Sequence, residues 1–194
     1  MKQDIILAGV GGQGILSIAT VIGSAALEQG LYIKQAEVHG MSQRGGDVQS
    51  HLRLSSVPVH SDLIPHGGAD LIVSLEPMEA LRYLPYLAED GWIITNTVPF
   101  QNIPNYPPIE DVLEELRSFP RRIALDVDAV ARENGSPRSA NMVLLGASAG
   151  VMSILEPQTL RDGIRRIFAR KGDAIVEANI KAFDAGLSLS NKAR

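Results

Sequence analysis

Cysteine is absent from this 194-residue chain. The absence excludes disulfides, and it excludes thiolate ligation of an iron–sulfur cluster or a structural zinc by this polypeptide. Any cluster or thiol chemistry in which the chain takes part must belong to a partner. A surplus of either charge is also lacking: 18 Lys+Arg stand against 22 Asp+Glu, a formal net charge of -4. That balance offers no general attraction to nucleic-acid backbones or anionic lipid. No apolar stretch reaches membrane-spanning length without polar interruption, and Met1-Lys2-Gln3-Asp4 leads into a strand-like run too short for a signal-peptide core. The expectation is a cytoplasmic protein with neither nucleic acid nor membrane as partner.

What remains is an ordinary core-forming composition, 45% hydrophobic and 21% charged. At this length folding buries roughly 70% of the surface of the extended chain. No internal repeat or linker divides it, so a single domain spanning 1–194 is expected. Ile5 to Ala8 reads as a strand, followed by a glycine-rich turn and a helix in which Ile15, Ile18, Ala19, Ile22 and Ala26 recur at helical spacing. Gly30 is placed to cap that helix, and Leu31 to Ala36 resumes as a strand, which makes a βαβ unit. Asp47 to Leu54 alternates, with Val48, Leu52 and Leu54 opposite Asp47, Gln49, His51 and Arg53, and Val57-Pro58-Val59 is suited to a returning edge strand. Further strands are expected at Ala69 to Leu75, Gly91 to Thr95 and Arg121 to Leu125. Helices are expected from Pro77 to about Leu87, Ile109 to Arg117, Asp126 to Glu133, Ser139 to Leu155, Gln158 to Arg170 and Asp173 to Leu187. The proline-rich stretch from Val98 to Ile109 reads as a surface excursion. The fold class is α/β: a Rossmann-like three-layer sandwich with a mostly parallel sheet, helices on both faces and a helical C-terminal portion.

Gly9, Gly11 and Gly14 satisfy G-x-G-x-x-G directly after a strand and at a helix start. Glycines there leave no side chain between backbone and ligand, and free N–H groups with the positive end of a helix favour an anion. Glu37, near the end of the second strand, stands at a passable distance for a ribose hydroxyl. The bland alternative is that the glycines only permit tight strand–helix packing.

A second glycine-bordered segment runs from His39 to Gly46 and places His39, Ser42, Gln43 and Arg44 between Gly40 and Gly45-Gly46. Imidazole, hydroxyl, amide and guanidinium groups in one sharp loop suit a carboxylate, a phosphate or a partner surface. Equally, Arg44 can cap a strand edge and His39 can be a half-buried structural histidine. His51, His60 and His66 show no metal-ligand spacing. Asp126 and Asp128 are placed to cap a helix. Arg161, Arg165, Arg166 and Arg170 form a basic helix face, a solvated face in the simple reading and a match for an acidic partner patch in the other.

Gly9-Val10-Gly11-Gly12-Gln13-Gly14 together with Glu37-Val38-His39-Gly40-Met41-Ser42-Gln43-Arg44-Gly45-Gly46 closely resembles the gamma-type subunit or domain of 2-oxoacid:ferredoxin oxidoreductases, in its indolepyruvate-type branch. Leu75-Glu76-Pro77, Glu79-Ala80-Leu81, Asn96-Thr97, Asn141-Met142 and Leu145-Gly146-Ala147 resemble the family's later landmarks in the same order, over nearly the whole chain. The resemblance implies one subunit of an enzyme that decarboxylates aryl pyruvates oxidatively to aryl-acetyl-CoA and passes electrons to ferredoxin. It implies that thiamine diphosphate, iron–sulfur clusters and CoA are held mainly by a larger alpha-type subunit, and that this chain is inactive alone. Gly9, Gly11, Gly12, Gln13, Gly14, Glu37, His39, Ser42, Gln43, Arg44, Gly45, Asn96 and Asn141 become the cofactor-binding or partner-facing candidates. His39 is the one acid–base candidate, and no metal ligand is expected. A homodimer of the isolated subunit fits such a surface. Two other readings stay open: a stand-alone NAD(P)-binding oxidoreductase, and a noncatalytic nucleotide- or CoA-binding assembly module.

Overall fold

A run that is apolar on both faces belongs in the middle of a sheet, and β1 (Lys2–Val10) lies there, buried from Gln3 to Val10. The computed structural model describes residues 1–39, 45–101 and 103–193. The other strands are β2 (Tyr32–His39), β3 (Asp47–Ser55), β4 (Ala69–Ser74), β5 (Leu87–Asn96) and β6 (Arg122–Leu125), in the spatial order β2-β3-β1-β4-β5-β6. β1, β4, β5 and β6 pair in parallel, whereas β3 is antiparallel to both β1 and β2. The expected mostly parallel sheet is present, with one reversal: β3 has entered the βαβ unit, between its two strands.

Helices cover both faces. α1 (Ile15–Glu28), α4 (Val127–Glu133), α5 (Ala140–Ala149), α6 (Pro157–Phe168) and α7 (Asp173–Ala193) share one core with Ile5, Leu7, Leu52, Leu54, Leu71 and Val73. On the other face α2 (Pro77–Arg82) and α3 (Ile109–Ser118) enclose a smaller core around Ile6, Ala8, Ile72 and Ile93. The end of α1 is a Schellman cap: Leu31 N–H donates to Ala26 O at 2.9 Å and Gly30 N–H to Leu27 O at 3.1 Å, with Gly30 at φ 70°.

Four expectations are corrected. Val57-Pro58-Val59 forms no strand, because β3 already has a neighbour on each side and offers no free edge. The second helix stops at Arg82 and gives way to a 3₁₀ turn over Leu84–Tyr86, where Pro85 cannot donate to an α-helical ladder. The helix expected to reach Leu155 ends at Ala149, and Ser153 N–H is drawn instead to Gln3 Oε1 on β1 at 3.3 Å. The last helix continues beyond Leu187, carrying Ser190 into the interior against Gly150.

The small-residue helix does pack against backbone. An added Cβ at Gly146 lies 1.9 Å from Phe183 O, and one at Gly186 lies 1.9 Å from Val143 O, so α5 and α7 cross through a reciprocal pair of glycines. The polar face of β3 is buried at His51 and half-buried at Gln49 and Arg53. Asp4, fully buried, receives Arg53 Nε at 2.9 Å and Nη2 at 3.1 Å, while Arg53 Nη1 reaches Leu63 O at 3.0 Å. His51 Nδ1 accepts Ile64 N–H at 3.0 Å, and its ring meets Tyr86 edge-on at 5.1 Å. These bonds hold the segment 56–68 against the sheet. Burial, and then the nearby Arg53 charge, push the His51 pKa below its ordinary 6.5.

Gly146→Ala is expected to cost about 2–3 kcal/mol or more of unfolding free energy in urea titrations, since two backbones must separate. Gly23→Ala is the contrast: the new methyl meets only the end of the Ile33 side chain, at 3.3 Å. Helix propensity favours that change by up to ~1 kcal/mol, so it should fall near or above wild type. A second expectation concerns pH. Because the fold lowers the His51 pKa, stability should be full above pH 6.5 and fall below it as the unfolded chain takes up a proton more readily than the folded one. The added slope approaches about 1.4 kcal/mol per pH unit at its steepest. His51→Gln should flatten the urea-derived profile between pH 7 and pH 5.5.

Candidate functional site

The carboxyl ends of β1, β4, β5 and β6 meet at one edge of the sheet, the usual place for a site in an open α/β fold. β1 leaves through Gly11–Gly14, and α1 starts after Gly14, which holds φ 90° and ψ 25°. Few side chains tolerate that geometry, and a Cβ on Gly14 would stand 2.7 Å from Asn141 Nδ2. Asn141, in the first turn of α5, donates to Gly14 O at 3.2 Å and fixes α5 to the turn. Gln13 folds back: its Oε1 accepts Val10 N–H at 2.7 Å and its Nε2 donates to Leu75 O at 3.1 Å. It thereby ties the end of β1 to the end of β4. The fold also closes on Gly9, where a Cβ would lie 2.9 Å from Ile15 and 3.0 Å from Gln13 Oε1.

The chain returning from the second glycine-bordered segment lies against this turn. Gly11 N–H donates to Gly46 O at 2.8 Å, and Gly45 N–H, at φ 80°, donates to Gly11 O at 3.4 Å. Gln13 N–H is bound to Val10 O at 3.1 Å. Two amide hydrogens of the turn are therefore committed to protein carbonyls. Gly12 alone is exposed and open, at φ 101° with no atom within 4 Å of an added Cβ. His39 closes β2 in register with Val48. Ser42, Gln43 and Arg44 lie outside the described residues.

β3 decides against the dinucleotide reading. A ribose-binding carboxylate works from the strand next to the glycine turn. Here Glu37 is on β2, with β3 interposed, and pairs in register with Ser50. Two strand spacings separate it from β1, about 10 Å. The spacing in sequence was passable, but the strand order removes the geometry.

On the α2 side of the edge is a constellation that residue spacing did not single out as a site. Glu76, 1% exposed, ends β4 and caps α2, accepting Glu79 N–H at 2.8 Å. Its other oxygen accepts the Tyr106 hydroxyl and, at 3.4 Å, Phe100 N–H, which fastens the proline-rich excursion to the sheet. Glu79 is buried as well and holds Arg82 through Nε at 2.8 Å and Nη2 at 3.1 Å. Burial pushes the Glu79 carboxyl above its ordinary range, opposed by Arg82 and reinforced by the charges of Glu76 and Asp47. Tyr83 is pushed up to about 12 by burial and then by Glu79, and Tyr106 is raised by burial and by its bond to Glu76. The Glu76-Pro77 pair followed by Glu79 is a readable capping signal. Nothing local in the sequence joins Tyr106 to it.

Asn96 proves structural. Its Oδ1 accepts Val98 N–H at 3.2 Å and Val127 N–H at 3.3 Å, and its Nδ2 donates to Asp128 at 3.1 Å. Asp126 caps α4 through Ala129 N–H at 2.7 Å, whereas Asp128 serves Asn96. The basic face of α6 is largely neutralised within the chain: Arg161 pairs with Asp184 and Arg165 with Asp162, each at 2.7 Å, and Arg166 with Glu28.

This six-stranded α/β fold is shared with a class of solved structures. The gamma subunit of a keto/oxoacid ferredoxin oxidoreductase from Geobacter sulfurreducens superposes with a TM-score of 0.69 over 97% of this chain and 98% of that one, at 23% identity. A 2-oxoglutarate:ferredoxin oxidoreductase from Magnetococcus marinus superposes with a TM-score of 0.76 at 23% identity, over 100% of this chain but 31% of its own longer one. In sequence, the indolepyruvate oxidoreductase subunit IorB of Archaeoglobus fulgidus is 37% identical over 194 residues, covering 96% of this chain and 94% of the relative. Residues 4–189 match the Pyruvate ferredoxin/flavodoxin oxidoreductase family, and the chain belongs to it.

Tyr106→Phe removes one of the donors from the Glu76 carboxylate without changing shape. The cost is expected at about 1.5–3 kcal/mol, the range for hydrogen bonds to charged groups. Backbone amides in 98–107 should exchange with deuterium faster, while those of β1 keep their protection.

Proposed function

We propose that this chain is the smaller, gamma-type subunit of an indolepyruvate:ferredoxin oxidoreductase, working in the cytoplasm as one domain beside a larger subunit. The reaction takes an aryl pyruvate and CoA to aryl-acetyl-CoA and carbon dioxide, with two electrons leaving for ferredoxin. The observation that carries this reading is the end-to-end likeness to IorB, at 37% identity over 96% of this chain. The composition of the chain supports the division of labour. It has no cysteine, so cluster ligation falls to the partner. Among the described residues no group of three or more His, Cys, Asp or Glu is placed to hold a metal ion. No helix among them is long and apolar enough to cross a membrane.

In this reading the carboxyl edge of the sheet is the docking face. The turn Gly9 to Gly14 is made rigid by Gln13 and Asn141, and His39, Ser42, Gln43 and Arg44 are the proposed contacts with the larger subunit or its substrate. Apolar side chains flank this edge: Leu16 opens α1, Val38 lies near the end of β2, and Val98 and Phe100 follow β5, all exposed. Solvent is a costly neighbour for such a rim, and a partner surface is a favourable one. When the complex binds CoA and thiamine diphosphate, those groups supply the acyl carrier and the carbanion-stabilising centre. This chain's contribution is a shaped, water-excluding wall.

Co-expression with the larger subunit tests the proposal. The pair should co-purify and reduce methyl viologen with indolepyruvate and CoA, and the chain alone should show no turnover. Oxidation of substrate by the isolated chain with a soluble pyridine nucleotide, at an ordinary enzymatic rate, would sink it.

A further inference from the structure

β6 ends the sheet, and its outer side is unpaired among the described residues. In a parallel ladder alternate residues direct both backbone groups to the same neighbour. Arg121 O accepts Ile93 N–H at 3.0 Å and Leu125 O accepts Thr97 N–H at 2.9 Å, so residues 121, 123 and 125 face β5. Arg122 and Ala124 therefore turn their N–H and C=O groups outward. An open groove runs beside them, lined by Leu113, Leu116 and Arg117 of α3 and by Arg122, Ala124 and Leu125 of β6. Ala124 is exposed and short, which leaves the floor of the groove clear.

The charged side chains lining the groove are both arginines, although the whole chain carries a net -4. Arg117 and Arg122 make no ion pair among the described residues. Arg122 is held in place by donating Nη1 to Phe119 O at 2.6 Å. Arg121 has only Asp90 at 3.8 Å, and Asp90 is 83% exposed. Two guanidinium groups, Arg117 and Arg122, thus flank a strand edge that offers two free donors and two free acceptors. A two-fold pairing of β6 with a second copy would bring both sets of arginines together, which like-charge repulsion opposes. At its upper end the groove reaches Thr97, where the chain enters the excursion fastened by Glu76, so it is continuous with the proposed docking face.

We infer that this edge is a strand-addition site. Its occupant is an extended segment of the larger subunit that pairs with Arg122 and Ala124 and places carboxylates against Arg117 and Arg122, with an apolar side chain on Leu113. The assignment rests on the reading of this chain as a subunit of a two-part enzyme.

Affinity between the separately purified subunits, measured by biolayer interferometry, tests it. Ala124→Pro removes one outward N–H at a position where an edge strand tolerates proline. Arg117→Glu combined with Arg122→Glu reverses the charge. Each variant should raise Kd by at least about tenfold, and the charge reversal should lose its effect as salt is raised. Arg170→Glu, on the opposite layer, should bind as wild type. Wild-type affinity in both groove variants, with melting temperatures unchanged, overturns the assignment, and the charge reversal alone decides if Ala124→Pro does not fold. An isolated wild-type chain that sediments as a dimer, and becomes monomeric with Ala124→Pro, gives the groove to a second copy and also overturns it. Failure of the wild-type chain to bind the larger subunit defeats the functional reading itself, and the groove assignment with it.

Discussion

One reversed strand sets the terms for the rest of the molecule. With β3 antiparallel between β1 and β2, the chain must turn back at the carboxyl edge of the sheet and pass beside the glycine turn. The bonds between Gly11 and Gly45-Gly46 are the direct result. The same insertion moves Glu37 one strand too far for nucleotide recognition and occupies both edges on which Val57-Pro58-Val59 had been expected to pair. A motif that begins like a dinucleotide site is occupied by the chain's own Gly45 and Gly46. The local physics of glycine and helix dipole is unchanged, but the neighbour that would use it is a polypeptide.

The insertion also has an electrostatic consequence. An interior strand whose one face carries Gln49, His51 and Arg53 must bury those groups, and each buried polar group requires a partner or costs stability. Asp4 on β1 answers Arg53 in register, Ile64 N–H answers His51, and the segment 56–68 is drawn down in doing so. Buried ion pairs contribute little net stability but penalise misalignment. A slip of one residue between β1 and β3 would leave Asp4 opposite an aliphatic side chain and expose Leu52 and Leu54 to the polar side. The pair therefore acts as a register pin. Glu76 follows the same logic at the other end of the sheet, with amide and phenol donors in place of a cation.

The sequence displays features that act within a few residues of themselves. The strand–turn–helix opening, the cap at Gly30, the aspartate cap at 126 and the close-packed helix around Gly146 are all consequences of local φ preference, hydrogen-bond supply or side-chain size. Strand order is not of this kind. A β1-α1-β2 pattern reads the same whether the two strands touch or a third lies between them, and the alternation in Asp47 to Leu54 shows two faces without naming their neighbours. The Tyr106–Glu76 bond spans 30 residues and starts in a stretch whose prolines advertise only the absence of regular structure. The family's landmarks marked Glu76, Glu79, Asn96 and Asn141 in advance, yet three-dimensional placement shows Asn96 and Asn141 fastening elements together.

The two edges of the sheet are treated differently, and the difference bears on assembly. A bare edge strand is a hazard that proteins blunt with charges, bulges or brevity. β2 is eight residues long and carries Lys34, Gln35 and Glu37 exposed along it, with Lys34 engaged to Asp62 at 3.1 Å. Mixed charge of that sort resists casual pairing. β6 is short, only four residues, and its surroundings are apolar and singly charged. Brevity protects it against indiscriminate addition, since few ladder bonds are on offer, while Arg117 and Arg122 would favour an acidic strand over a neutral or basic one. An edge built in this way is guarded against copies of itself by like charge and remains open to a complementary chain.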